Sequence, residues 1–217
     1  KLAFGLQKDL APVSQISSTA QLLVMHPSLP ARSLREFIAL IKQRSGHLNA
    51  ASGGTGSTNH LALELLKQWA GVAITHIPYK GSGPATIALM SGEVDFSFAG
   101  SITAQPHLRS GKLRLLAVTT PKEAPAFPGV PPIATIYPGF QAANWYAFFA
   151  PAATPAAIVN KLSEQARSAL QAEEIRTYLV KEGADAVGST SAEFAAFFKN
   201  EIENYAQVIR AAGIRVE

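Results

Sequence analysis

Between residues 52 and 58 the chain reads Ser52-Gly53-Gly54-Thr55-Gly56-Ser57-Thr58, a pattern suited to holding an anion. Three glycines let the backbone turn tightly and come close to a ligand. Residues 48–51 read as a short buried strand, and a helix is expected from about residue 59. The first N–H groups of that helix have no internal partner, so they favour a negative group beside the loop. The hydroxyls of Ser52, Thr55, Ser57 and Thr58 add donors. The same residues also suit an ordinary strand-to-helix turn with Ser57 or Thr58 as N-cap, and local sequence leaves the two readings level.

Better-known loops do not fit. A P-loop needs Gly-Lys-Ser/Thr, and the next lysine is Lys67. A dinucleotide fingerprint needs a third glycine, where Gly54-Thr55-Gly56-Ser57-Thr58-Asn59 ends in Asn59. A Gly-x-Ser-x-Gly nucleophile elbow is absent. His60 and Glu64 stand four apart on one helix face, a two-ligand pair without a third ligand at diagnostic spacing, so no metal is expected. His60 is read instead as a helix-start histidine touching the loop. His76 precedes Ile77-Pro78-Tyr79-Lys80-Gly81, a strand end running into a second glycine loop. In a parallel sheet that loop falls at the same edge as the first, where ligands bind in open α/β folds. Asp95, inside an expected strand at 94–98, reads as a structural hydrogen-bonding residue. No nucleophile with its base, carboxylate pair or metal set stands out, so catalysis is not expected.

Short apolar runs alternate with helical stretches along the chain. Strands are expected at 22–25, 48–51, 72–77, 94–98, 113–118 and 145–149. Helices are expected from the capping box Ser33-Leu34-Arg35-Glu36 to Gly46, from about 59 to Gly71 with the stripe Leu61, Leu65, Leu66 and Trp69, at 84–90, and at 102–108. Three more follow: one opened by Thr154-Pro155, one over 173–182, and one from the capping box Thr190-Ser191-Ala192-Glu193. This alternation implies βαβ units and a largely parallel sheet in an α/β fold. Residues 121–139 carry six prolines and read as an extended connection between lobes.

The 217 residues fit one large domain or two small lobes. Apolar residues make up 47% and charged residues 16%, enough for a core and too few charges for disorder. The formal charge of +4 is dispersed, so no nucleic-acid arm is expected. There are no cysteines, which excludes disulfides, thiolate metal sites and cysteine nucleophiles. No apolar run is long enough to span a membrane. The start at Lys1-Leu2-Ala3-Phe4, without Met, reads as processed or truncated.

Taken in order, several segments carry a resemblance: Asp9-Leu10-Ala11-Pro12-Val13; residues 24–27; residues 48–61; His76-Ile77-Pro78-Tyr79-Lys80-Gly81; Gly92-Glu93-Val94-Asp95; Gly111-Lys112-Leu113-Arg114 with Leu116-Ala117-Val118-Thr119; residues 148–155 around Ala150-Pro151; and Gly213-Ile214. The chain resembles the Bug family of periplasmic solute-binding proteins, receptors of tripartite tricarboxylate transporters. The resemblance implies a type II periplasmic-binding-protein architecture with two lobes and a hinge. One lobe would span 19–139 and the other, incomplete, 1–18 with 140–217; the crossings at 17–22 and 140–145 would form the hinge. It also implies a periplasmic location, an organic carboxylate as ligand, transporter subunits as partners, and no cofactor. The implied ligand-binding residues are Ser52, Gly53, Gly54, Thr55, Gly56, Ser57, Thr58, His60, Tyr79, Gly81, Ala99, Ser101 and Trp145. Many relatives carry an acidic residue after the phenylalanine matching Phe98; Ala99-Gly100 here implies an organic acid without an ammonium group. Alternatives are a ligand-sensing domain of a regulator, a receptor feeding a sensor kinase, and a small α/β enzyme acting on an acid.

Overall fold

Five strands, with helices on each side, organise most of the chain. The computed structural model describes residues 5–215. The elements run α1 (Leu6–Asp9), β1 (Leu10–Met25), α2 (Leu34–Gln43), β2 (Asn49–Ser52), α3 (Thr58–Ala70), β3 (Thr75–Pro78), α4 (Ser82–Ser91), β4 (Phe96–Gly100), α5 (Ser101–Arg109) and β5 (Arg114–Val118). A 3₁₀ turn (Ile133–Thr135) precedes β6 (Ala143–Pro151), α6 (Ala156–Ala169), α7 (Glu173–Lys181), β7 (Ala184–Ala186) and α8 (Ser191–Ala212). Two compact units result: Ala20–Asn144 with the chain from Gln207, and the chain up to Thr19 with Trp145–Ala206. The first four and last two residues of the lobe assigned from the resemblance lie outside the described residues, as does the start read as processed.

In the larger unit the strand order is β3-β2-β4-β1-β5. β2 pairs parallel with β3 and β4, whereas β1 lies antiparallel to both β4 and β5. The expected parallel sheet therefore holds one reversed strand near its middle. Side chains alternate across this strand: Leu23 and Met25 enter the core layer of α2 and α3, while Leu22 and Val24 enter that of α4 and α5. Phe96 of β4, fully buried, meets Phe37 of α2 edge to face at 5.0 Å.

Helix ends follow local chemistry, with shifts. Ser33 Oγ accepts the Glu36 N–H at 3.2 Å, but the Glu36 carboxylate reaches the N–H of Arg32, one residue before the cap. α2 stops at Gln43, short of the expected Gly46. The buried stripe of α3 is Asn59, Ala62, Leu63, Leu66 and Ala70, whereas Trp69 is exposed against Tyr137. Residues 121–139 are not a connection between units. Ala124 and Phe127 fill one core layer of the larger unit and Ile133 and Phe140 the other, so apolar side chains between the prolines fasten the segment down.

The smaller unit is built on the other end of β1. The expected strand at 22–25 proves to be the last part of a 16-residue strand. In its middle the polar residues Ser14, Gln15 and Ser17 are buried, and neighbours satisfy the first two: Ser14 Oγ donates to Ser189 O at 2.7 Å, and Gln15 N–H donates to Ser189 Oγ at 2.9 Å. Ser17, Ser18 and Thr19 pair antiparallel with β7, and β6 also pairs with β1. Pro155 rather than Thr154 is the N-cap of α6, with extended dihedrals. The second capping box forms on both arms, Glu193 N–H to Thr190 Oγ1 at 3.2 Å and Thr190 N–H to Glu193 Oε2 at 2.8 Å.

Truncating Phe96 to alanine removes a ring from a filled layer. Phe96→Ala is expected to lower unfolding free energy by about 3–5 kcal/mol, measured by urea denaturation.

Candidate functional site

The carboxyl ends of the parallel strands β3, β2 and β4 fall along one edge, and α3, α4 and α5 begin there, capped by Ser57, Gly81 and Gly100. Three helix starts thus present the positive ends of their dipoles to the same edge of the larger unit.

The two glycine loops touch directly. Tyr79 N–H donates to Ser52 O at 2.9 Å, and Gly81 N–H donates to Gly53 O at 3.1 Å. A Cβ on Gly53 would stand 3.3 Å from Gly81 C and Ser82 N, both backbone atoms. Gly54 has φ +131°, in the region side chains avoid, and its added Cβ would meet Tyr79 O at 3.4 Å. The 52–58 loop is also braced internally. Ser57 N–H and Oγ both donate to Gly54 O, at 3.1 and 2.7 Å, and Gly54 N–H donates to Ser52 Oγ at 3.1 Å. Gly56 N–H donates to His60 Nδ1 at 3.0 Å. Among the described residues, the N–H groups of Thr55, Thr58 and Asn59 keep no such partner. With the Gly53 N–H, they are the loop donors left for an anion.

Beside the loops lies a small cleft lined by Gly53, Asn59, Ser82, Thr86, Phe98 and Ala99. Asn59 sits at its base. Its Nδ2 donates to Phe98 O at 2.6 Å and to Gln21 Oε1 at 2.9 Å, tying α3 to β4 and β1. Asn59, Ser82 and Thr86 were not among the expected binding residues, and His76 was read only as the strand end before the second loop. Asn59 was traceable, because it lies on the stripe that α3 buries. The others answer to the touching of two loops, which no local pattern reveals.

Of the residues expected to bind, Ser52, Gly53, Gly54, Thr55, Gly56, Ser57, Thr58, Tyr79 and Gly81 form the paired loops. Ala99 lines the cleft, and Ser101 opens α5 at the same edge. His60 lies behind the loop, nearly buried. Trp145 belongs to the smaller unit, where its ring packs edge to face on Phe194, Phe197 and Phe198 at 5.6 to 6.0 Å. Its Nε1–H donates to Glu201 Oε2 at 3.0 Å. The carboxylates near the loops have structural partners. Asp95 Oδ2 accepts the Asn49 N–H at 2.7 Å, and Glu64 Oε1 accepts Lys67 Nζ at 2.7 Å.

His60 and His76 stack with centroids 3.7 Å apart and planes 9° apart. Ser52 Oγ lies 2.6 Å from His76 Nε2. Burial, reinforced by the His60 ring and by Lys67, holds His76 at about 4, below the ordinary 6.5. Burial also lowers His60, against the pull of Glu64.

The chain also matches known proteins. The family model described as "Tripartite tricarboxylate transporter family receptor" (TctC) matches residues 1–214. Protein BugT of Bordetella pertussis is 35% identical over 217 residues, covering all of this chain and 67% of that protein. A second Bordetella pertussis relative is matched over 64% of its length, so the chain spans about two thirds of these curated relatives. Among solved structures, R. palustris Rpa4515 with adipate is 33% identical with a TM-score of 0.85, covering 99% of this chain and 72% of that one. MatC from Rhodopseudomonas palustris with bound malate is 32% identical with a TM-score of 0.78, covering 96% and 72%.

Two outcomes follow from this geometry. Gly54→Val puts a branched side chain at positive φ against Tyr79 O; carboxylate affinity is expected to drop at least tenfold, about 1.4 kcal/mol, in calorimetry on the folded variant. His76 is neutral when folded, and the unfolded chain takes its proton near pH 6.5. The stability that neutral His76 contributes is therefore complete above 6.5 and lost as pH falls from there to about 4. Urea denaturation from pH 7.5 to 4.5 should show His76→Phe losing less stability over that window than the parent.

Proposed function

The chain belongs to the tripartite tricarboxylate transporter receptor family, and from that premise we propose that it captures a small organic carboxylate outside the cytoplasm and delivers it to a membrane transporter. The family is one of receptors, so the work at this site is binding. The observation that carries the reading is the pair of touching glycine loops at the carboxyl edge of β2 and β3, with Gly53 and Asn59 lining the cleft and the N–H groups of Thr55, Thr58 and Asn59 left without a backbone partner. A carboxylate oxygen can take such charge-assisted bonds, and the starts of α3 and α4 favour its charge.

Ser52, Gly53, Gly54, Thr55, Gly56, Ser57, Thr58, Tyr79 and Gly81 form the anion loops of this proposal, with Ala99 and Ser101 beside them. Two lobes belong to the same proposal, with Phe140 and Ala142 packed in the larger unit rather than in the lobe that 140–217 would have formed, and its transporter subunits are the partners the family implies. A periplasmic location belongs to the same reading, and no described helix is long and apolar enough to cross a membrane. β4 ends in Ala99-Gly100, which offers no carboxylate to an ammonium group, so the ligand class is an organic acid such as a dicarboxylate. Adipate and malate, bound by two structural relatives, are the probes to begin with.

Ligand that binds only the native state raises its stability, by about 2.7 kcal/mol at a concentration of 100 Kd. In a thermal-shift screen of the intact protein, mono-, di- and tricarboxylates should raise Tm while neutral and cationic amino acids leave it unchanged. Stabilisation by amino acids and none by any carboxylate would refute the assignment.

A further inference from the structure

The imidazole pair behind the loop has no role in the capture just described, yet both rings hold it. His60, on the first turn of α3, is 5% exposed. Its Nδ1 accepts the Gly56 N–H, so its proton sits on Nε2, 3.5 Å from Glu64 Oε1. Glu64 is in turn held by Lys67. On the opposite side His76 of β3 stacks on the ring and contacts Ser52, where the loop begins. The groups facing the pair are thus Glu64 and Lys67 from α3 and each ring for the other. Two cations cannot occupy rings 3.7 Å apart at tolerable cost.

We infer that His60 is a positioning residue for ligand capture, whose Nδ1 lone pair withholds the Gly56 N–H from the cleft and fixes the loop so that Thr55, Thr58 and Asn59 N–H face the carboxylate. This rests on the loop being the carboxylate site. Neutral imidazole is essential to the arrangement, because a proton on Nδ1 turns the acceptor into a second donor and ejects the Gly56 N–H. The freed loop then costs ordering at the moment of binding. A bare charge effect has the opposite sign: an imidazolium near the loop would attract the anion as pH falls. Compared with His60→Asn at the same pH, because a carboxylate ligand also gains protons over the acidic range, the direction of the affinity change separates positioning from simple electrostatics.

The experiment follows the Gly56 amide by ¹⁵N NMR and hydrogen exchange, and malate and adipate affinity by calorimetry, between pH 7.5 and 5. It compares the parent with His60→Asn, whose amide oxygen can stand where Nδ1 stood, and His60→Phe, which keeps a ring against His76 without an acceptor. In the parent, Gly56 protection and affinity should fall together as the His60 ring takes its proton. His60→Asn should keep Gly56 protected without a pH inflection and bind within about threefold of the parent, whereas His60→Phe should lose that protection throughout and bind about tenfold or more weakly. Equal affinities in the parent and His60→Phe, or affinity rising as pH falls, would overturn the inference. So would a Gly56 amide that ignores the His60 titration, even if carboxylates bind. Should His60→Phe not fold, the parent's pH series and His60→Asn still decide the matter. A parent in which Gly56 follows His60 but no carboxylate binds would instead overturn the proposed function and leave only the loop brace.

Discussion

The site hangs on two backbones meeting without side chains between them. Gly53 O accepts the Gly81 N–H, and a single added carbon on Gly53 would press against the backbone of Gly81 and Ser82. That contact brings the start of α4 beside the start of α3, although the two helices belong to successive βα units. Without it, each loop would be an ordinary strand-to-helix turn with its own cap. With it, the helix starts share a cleft, and the hydroxyl and N–H groups around them converge.

Convergence of polar groups inside a folded unit is costly unless each finds a partner. Here the partners come from distant parts of the chain. Asn59 joins α3 to a carbonyl of β4 and to Gln21 of β1, Ser97 Oγ donates to Ala51 O at 2.9 Å, and the histidines hold the loop from behind. Most loop groups are consumed in bracing the loop itself. The few left over are thereby fixed in direction, which is what recognition of a small anion requires.

Much of this was legible in the sequence because it is local. Glycines followed by Ser57 marked the loop, and the capping box at Thr190 and Glu193 marked the start of α8. The alternation of short apolar runs with helical stripes marked an α/β fold. What escaped has a common cause. The middle of β1, Ser14 to Thr19, is mostly polar, and it reads as a strand only when Ser189 and β7, far along the chain, supply its partners. His76 looks like any strand histidine until α3 sets His60 upon it. Trp69 sits on the helical stripe yet is exposed, because Ala62, Leu63 and Leu66 already fill the layer. The resemblance to transporter receptors supplied the order of the loops, but the touching of Gly53 and Gly81 is a fact of three dimensions.

The reversed strand near the middle of the sheet carries a consequence for how the chain is made. β1 leaves the ribosome well before the strands it pairs with here, residues 96–100 and 114–118. Until those emerge, Leu22, Leu23, Val24 and Met25 form an apolar strand with both hydrogen-bonding edges open, the kind of segment that pairs with other chains. Synthesis thus carries an unprotected strand until those residues emerge, and a holding chaperone or a delay in collapse is what such a topology demands of the cell that makes it.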